Sequence, residues 1–281
     1  MAVVLGLVVA LAYGAGDFFG GLASRRTPAT SVVVTSQVLG LVLLGALVAI
    51  APGGDPTSGD LAVGAASGLC GGAGVFLLFR GLAAGRMSVV APITAVGAAV
   101  LPVGWGLATG ERPSPLVLVG VVLALVAVVL VARSDDPVED TESPDPHGGV
   151  RYAVGSGVAF GALFIFLAEA GDNAGWWPLV TSRVAAASLV AVFAVASRQA
   201  LVPEPDARPQ IAASCVLDVT ANAVYLLAVR RGLLSLVAVL SALYPAATVL
   251  LARVVLKERL VRTQVYGLGM AAGGVLLIAT G

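Results

Sequence analysis

The sequence predicts an all-α integral membrane protein, with ten transmembrane helices arranged as two inverted five-helix repeats. The prediction depends on a strongly apolar composition, on ten apolar runs of membrane-spanning length, and on a second half that repeats the first. Of the 281 residues, 58% are hydrophobic and 11% are charged, and the mean hydropathy is +0.99. Soluble domains carry roughly 25% charged residues, so this composition indicates a lipid bilayer as the surrounding medium.

The composition also narrows the chemistry. The formal net charge is zero and no basic stripe is present, so a nucleic-acid partner is not expected. His147, the single histidine, lies in a polar segment. Cys70 and Cys215 lie in apolar runs, where cysteines usually pack as small hydrophobic residues. We therefore expect no metal site, no disulfide, no cofactor and no catalysis by histidine.

Ten apolar runs have the length of a membrane helix, which needs about 20 mostly apolar residues to cross the hydrocarbon core. Short polar connections such as PGGDPTSGD and GERPS separate the runs, and they leave no room for a soluble catalytic domain. The predicted spans are residues 2–23, 31–51, 61–80, 88–109, 114–132, 152–170, 176–196, 210–229, 234–256 and 262–280.

The second half of the chain repeats the first at an offset of 146 to 149 residues. Each match alone is weak because Ala, Val, Gly and Leu dominate the composition, but six matches occur in register and in order. Each half holds five spans, an odd number, so the second half must cross the bilayer in the opposite direction. The matched segments are AYGA at 12–15 with AFGA at 159–162, VTSQV at 34–38 with VTSRV at 180–184, VFLL at 75–78 with VYLL at 224–227, GRMSVVAPI at 85–93 with GLLSLVAVL at 232–240, ER at 111–112 with ER at 258–259, and Gly120 with Gly267.

The repeats and the segment between them define the domain organisation. Residues 1–132 form the first five-helix repeat and residues 151–281 form the second. Residues 133–150 form an acidic linker, which carries six acidic residues and three prolines. Such a composition is typical of a solvated, disordered connection.

With these features the chain resembles the drug/metabolite transporter superfamily of the EamA type. The resemblance is carried by the two five-span repeats, by Tyr13 and Gly14 in the first span, by Ser88 and Pro92 at the entry to the fourth span, and by GER at its end. It extends over essentially the whole chain.

The resemblance implies a secondary transporter, usually an exporter, of small polar metabolites such as amino acids or related solutes in the cell membrane. It implies alternating access around a cavity between spans 1, 3 and 4 and their counterparts 6, 8 and 9. A flippase for lipid-linked substrates with the same fold remains an alternative. A membrane-embedded enzyme is disfavoured because neither HExxH nor GxSxG is present, and ATP as a driving force is disfavoured because no GxxxxGK[ST] is present.

A carboxylate inside the first span is the first candidate site residue. Asp17 lies about six residues from the end of its span, which is roughly 9 Å from the interface. A charge inside a span costs roughly 2.5–3.5 kcal/mol on insertion scales, so it usually faces a cavity or a partner. Tyr13, one turn earlier, shares its helix face. Two interpretations remain open: Asp17 pairs with an arginine or caps a neighbouring helix, or Asp17 contacts a solute.

A polar stripe follows one face of the eighth span, at steps of four, four and three residues. The stripe favours a cavity-lining role over hydrogen bonding between helices, and Asp218 lies near the centre of the span. Because burial favours the neutral form of a carboxylate, Asp218 and Asp17 are also the candidates for proton coupling. The predicted substrate-binding residues are Tyr13, Asp17, Ser214, Asp218, Asn222, Tyr225 and Tyr244.

Prolines and glycines inside spans 4 and 9 predict places where these helices can flex, because proline removes a backbone donor. The predicted hinge residues are Pro92, Gly97, Pro102 and Pro245.

Two further sets of charged residues are expected to be structural. Arg183 in the seventh span matches Gln37 in the second, its side chain could extend to the membrane interface, and a structural role is favoured. Glu111 and Glu258 end spans 4 and 9 beside arginines, which favours ion pairs at the helix ends.

Lysines and arginines are distributed unequally between the two faces of the membrane. The connections 1–2, 3–4, 5–6, 7–8 and 9–10, with the adjacent span ends, carry twelve, and the other connections carry three. We call the first set the arginine-rich face. The positive-inside rule places this face in the cytoplasm and both termini outside, whereas the family expectation is usually the reverse.

We predict from this count that alkaline phosphatase fused after Gly281 is active, because that enzyme folds only outside the cytoplasm. A fluorescent protein fused at the same point should stay dark when it is exported unfolded. Fluorescence without phosphatase activity would show that the charge count is misleading and that the family orientation holds.

Overall fold

Eleven α-helices and two short 3-10 turns form the regular structure of the described residues, which are 1–84, 87–132, 148–196, 201–257 and 260–281 of a computed structural model. The helices are α1 (Ala2–Ser24), α2 (Ala29–Ile50), α3 (Ser58–Ala84), α4 (Met87–Ala108), α5 (Pro115–Ala132), α6 (Gly148–Ala168), α7 (Trp177–Ala196), α8 (Arg208–Val229), α9 (Leu234–Ser241), α10 (Tyr244–Val255) and α11 (Arg262–Thr280).

Ten helical segments of the described chain are long and apolar enough to cross a membrane. Nine are single helices, and the ninth span consists of α9 followed by α10. The predicted fold class, an all-α integral membrane protein with ten spans, is therefore confirmed. Of the predicted linker, residues 133–147 lie outside the described residues, and α6 begins at Gly148.

The ninth span is interrupted near its middle. Pro245 has no N–H to donate to the carbonyl one turn earlier, and the helix stops at Ser241 and resumes at Tyr244. By contrast, α4 is continuous through both Pro92 and Pro102. The predicted hinge in the ninth span thus coincides with a break in the helix, whereas the two prolines of α4 lie within an unbroken one.

Contacts between helices follow the relation between the repeats. Helix α1 packs on α8, and their respective counterparts in the other repeat, α6 and α3, pack on each other in the same way. The pair α4 and α6 corresponds to α1 packed on α9 and α10, and the pair α2 and α8 corresponds to α7 and α3. Two further pairs, α2 with α7 and α5 with α11, join counterparts directly. Two inverted five-helix repeats therefore meet along α1, α3, α6 and α8.

The connections opposite the arginine-rich face are joined by hydrogen bonds. Thr57 and Asp60 cap the start of α3 reciprocally, with the Thr57 N–H donating to Asp60 Oδ2 at 2.8 Å and the Asp60 N–H donating to Thr57 Oγ1 at 3.2 Å. The other oxygen, Asp60 Oδ1, accepts the Gly171 N–H at 2.7 Å. Arg230, after α8, donates to the carbonyls of Gly171 and Gly175. The capped end of α3 is thereby tied to the connection between α6 and α7.

Close packing between α3 and α7 depends on Gly68, and this contact can be tested. A Cβ on Gly68 would overlap the backbone carbonyl of Ser182, which has no room to move within its helix. We predict that Gly68→Ala lowers the free energy of unfolding by about 1–3 kcal/mol, measured as a lower melting temperature in detergent.

Gly45→Ala is the matched control, because a Cβ at this glycine of α2 meets no atom within 4 Å. Alanine is the better helix former by about 1 kcal/mol, so Gly45→Ala should leave the melting temperature unchanged or raise it. Equal melting temperatures for the two variants would contradict the close approach of α3 and α7.

Candidate functional site

A chain of polar contacts crosses the interface between the repeats. The Tyr13 hydroxyl on α1 donates to Asn222 Oδ1 on α8 at 3.0 Å, and Asn222 Nδ2 lies 3.3 Å from Asp218 Oδ1. Asp218 Oδ2 is bound at 2.5 Å by Arg183 Nη2 on α7, and Arg183 Nη1 donates to Gln37 Oε1 on α2 at 2.6 Å. Four helices, two from each repeat, therefore contribute to one polar network.

A glycine on α1 lies against α8 beside this network. Gly16 lies so close to α8 that a Cβ there would be 3.4 Å from the Ser214 carbonyl oxygen and 3.7 Å from the Asp218 nitrogen. The Ser214 hydroxyl donates in turn to the Gly16 carbonyl at 2.8 Å. This approach brings Tyr13, nearly one turn before Gly16, within hydrogen-bonding distance of Asn222. Ser214 thus joins α1 to α8 rather than lining open space with its hydroxyl.

Arg183 is the component that the sequence did not assign to the site. Its side chain is 11% exposed and is bound to Asp218, so it pairs inside the bundle and does not extend to the membrane interface. The physical reason is that a carboxylate on the neighbouring span is a better partner than the interface for a charge inside a bilayer. Gln37, its counterpart in the first repeat, contacts it directly. Gln37 and Arg183 occupy equivalent positions in the two repeats, and this match was the sequence signal that could have predicted their contact.

Asp17 differs from Asp218 because the described residues offer it neither a hydrogen bond nor an ion pair. Its side chain is exposed, yet it does not face lipid. At 100° per residue, Asp17 lies half a turn from the exposed Val8 and within about 20° of Gly6 and Ala10, which are both buried. An exposed carboxylate on the inward side of a helix indicates a polar space inside the bundle.

The space beside Asp17 continues along α1 toward the arginine-rich face. One turn further on, Gly21 is exposed, and a Cβ there would meet no atom within 4 Å. In the second repeat, Phe164 occupies the position that corresponds to Asp17. Its ring packs against the ring of Tyr13, at a centroid distance of 6.2 Å, and against the ring of Tyr225, at 4.7 Å. Aromatic rings therefore fill the interior near the opposite face, whereas Asp17 and Gly21, nearer the arginine-rich face, are exposed.

The remaining predicted site residues occupy different surroundings. Tyr225 is fully buried in an apolar cluster, and its hydroxyl donates to the Phe164 carbonyl at 3.3 Å. Tyr244 begins α10, is half-buried, and lies close enough to Asp17 to interact with it electrostatically. Asp17 and Asp218 are also within electrostatic range of each other. The structure thus brings Tyr13, Asp17, Asp218, Asn222 and Tyr244 together and places Tyr225 in the packed core.

Glu111 joins the two repeats away from this network. Its carboxylate accepts the Leu234 N–H at 2.5 Å and the Ser235 N–H at 3.1 Å, which are the first free donors of α9. The sequence favoured an ion pair between Glu111 and a neighbouring arginine such as Arg112. In the structure Glu111 does bind at a helix end, but its partner is the start of α9. Glu258, its counterpart, lies outside the described residues.

The site offers hydrogen-bonding groups and charges. Among the described residues no group of three or more His, Cys, Asp or Glu side chains could hold a metal ion. The network instead offers one balanced ion pair, several hydrogen-bonding groups and one open carboxylate. Such groups can orient a small polar solute.

Comparisons with known proteins agree with this architecture. The model of the EamA-like transporter family matches residues 1–133 and 147–280. Uncharacterized protein MJ1333.1 of Methanocaldococcus jannaschii is 26% identical over 137 residues, which cover 48% of this chain and 98% of that protein. A protein crystal structure superposes with a TM-score of 0.82 at 16% identity, over 99% of this chain and 96% of the other, and shows the shared fold. Because the family model matches nearly the whole chain, once for each repeat, the chain belongs to the EamA-like transporter family.

Proposed function

We propose that this protein is a secondary transporter that binds a small polar solute between its repeats, beside Asp17, and exchanges it across the cell membrane by alternating access. The observation that carries the proposal is the open, inward-facing carboxylate next to a polar network that joins the two repeats. A site at the repeat interface is exposed to one side or the other when one repeat rocks against the other. Family resemblance favours an exporter of an amino acid or a related solute.

The asymmetry of the interior supports alternating access. The space beside Asp17 and Gly21 leads toward the arginine-rich face, whereas Phe164 fills the corresponding space near the other face. On that other face Glu111, after α4 of the first repeat, binds the first turn of α9 in the second. In the proposed cycle these contacts hold one face closed, and their release opens it while the arginine-rich face closes.

Protons are the proposed coupling ion, and Asp17 is the better of the two carriers. The sequence favoured Asp218 because it lies deeper in its span. In the structure, however, Asp218 is bound by Arg183 and contacts Asn222, so its carboxylate already has partners. Asp17 has no such partner among the described residues, so it is free to alternate between a proton and a solute.

Transport is tested with purified protein in two steps. A thermal-shift screen of amino acids, polyamines, nucleosides and aromatic cations identifies solutes that raise the melting temperature in detergent. Each stabilising solute is then followed, in radiolabelled form, into liposomes with and without the protein and with and without a pH gradient. We expect protein-dependent uptake that the gradient accelerates. Solutes that bind but never cross would contradict transport, and uptake that ignores the gradient would contradict proton coupling.

The ion pair between Arg183 and Asp218 generates a stability prediction. Asp218→Asn leaves a guanidinium that is 11% exposed without its counter-charge, so it should lower the free energy of unfolding by about 1–3 kcal/mol. The double variant Arg183→Gln with Asp218→Asn removes both charges and should recover part of this loss. Melting temperatures of the single and double variants measure the effect. Additive losses would show that the two side chains do not interact.

The contact between Glu111 and α9 generates a prediction about local opening. Glu111→Gln replaces charge-assisted hydrogen bonds to the Leu234 and Ser235 N–H groups with weaker ones. We expect faster hydrogen exchange in peptides that cover the start of α9, measured by mass spectrometry. Glu169→Gln is the control, because Glu169 is exposed and its side chain, among the described residues, accepts one hydrogen bond, from the Trp105 ring N–H at 2.8 Å. Equal hydrogen-exchange rates at the start of α9 in both variants would contradict the proposal that Glu111 holds this face closed.

A further inference from the structure

The charges inside the bundle do not balance. Three charged side chains of the described chain lie well within the spans: Asp17 on α1, Arg183 on α7 and Asp218 on α8. Arg183 and Asp218 neutralise each other. The remaining charge is the carboxylate of Asp17, and it faces the space inside the bundle. The interior therefore carries one net negative charge when Asp17 is ionised.

An uncompensated negative charge selects its ligands by sign. In a space with low-dielectric walls, the field of a single carboxylate attracts cations and repels anions more strongly than it would in water. The electrostatic interaction with this site therefore favours binding of a solute with a positive group and disfavours binding of an anion.

We propose that the solute bound beside Asp17 is an amine cation that carries no carboxylate, with its ammonium group against the Asp17 carboxylate. The inference builds on the proposed transport function and narrows the substrate class from amino acids and related solutes to amines. Tyr244, close to Asp17, and Tyr13, one turn earlier on α1, add aromatic rings, whose faces attract cations.

Among the residues that the structure describes, the site has no cation free to receive a carboxylate group. Arg183 donates through Nη2 to Asp218 and through Nη1 to Gln37, so both ends of its guanidinium are occupied. Within the described spans it is also the one cationic side chain away from the helix ends. The carboxylate of an amino acid would thus be desolvated beside the Asp17 carboxylate without a counter-charge, which disfavours amino acids relative to their decarboxylated counterparts.

Matched pairs of solutes test the inference in the full-length protein. Lysine is compared with cadaverine, and tyrosine with tyramine, because the members of each pair differ by one carboxylate. Binding is measured by thermal shift and by calorimetric titration in detergent. The variants are Asp17→Asn, Asp17→Glu, which keeps the charge, and Asp206→Asn, which removes an exposed acid in the connection before α8.

We expect the amines to stabilise the wild-type protein and the amino acids to have much weaker effects. Asp17→Asn should raise the apparent Kd of the amines by about tenfold or more, which corresponds to the loss of one charge-assisted contact. Asp17→Glu and Asp206→Asn should keep amine binding. Asp17 makes no hydrogen bond within the described residues, so its isosteric variant should fold normally, and the melting temperature without solute verifies this.

Three results would overturn the inference: no stabilisation by any amine, amino acids that bind as tightly as their amine counterparts, or unchanged amine binding in Asp17→Asn. Liposome uptake separates this inference from the transport proposal. Uptake of an amino acid that is insensitive to Asp17→Asn would leave transport intact and remove the amine class. Binding of amines without uptake would support the site and contradict transport.

Discussion

Arg183 and Asp218 place opposite charges where the bilayer offers no water to solvate them. Each charge alone costs roughly 2.5–3.5 kcal/mol at the centre of a span, and their pairing, together with hydrogen bonds from Asn222 and to Gln37, offsets that cost. The arrangement fixes the positions of α2, α7 and α8 relative to one another. Through Asn222 it also fixes Tyr13 on α1, so the repeat interface is organised around one ion pair.

The same constraint distinguishes Asp17 from Asp218. Two carboxylates in adjacent helices have different surroundings, because one arginine satisfies one of them and leaves the other open. A neutralised pair supports the structure, and a lone charge remains available for a ligand. Phe164, at the position equivalent to Asp17, shows that the shared repeat architecture tolerates an aromatic ring there. The open carboxylate is therefore a specific property of the first helix and not a requirement of the fold.

Hydropathy and internal repetition predicted the ten spans, because each span must be apolar along its whole length. Residue spacing also predicted the shared faces of Ser214, Asp218 and Asn222 on α8. Spacing along one helix could not predict which residues of other helices pack against each position of that face. Tyr225 was therefore expected in the cavity, whereas in the structure it packs against Phe164. The Arg183–Asp218 contact was also missed, since it joins residues 35 positions apart on different helices.

The location of the ion pair also affects how the protein enters the membrane. Arg183 and Asp218 lie in consecutive spans of the same repeat, separated by a single connection. A helical hairpin of α7 and α8 can therefore enter the bilayer with its two charges already joined, before either helix meets the first repeat. Within the part of the chain that the structure describes, Asp17 has no partner in the spans that neighbour it in sequence, so α1 is inserted with its carboxylate uncompensated or protonated. The first helix thus bears an insertion cost that the later hairpin avoids.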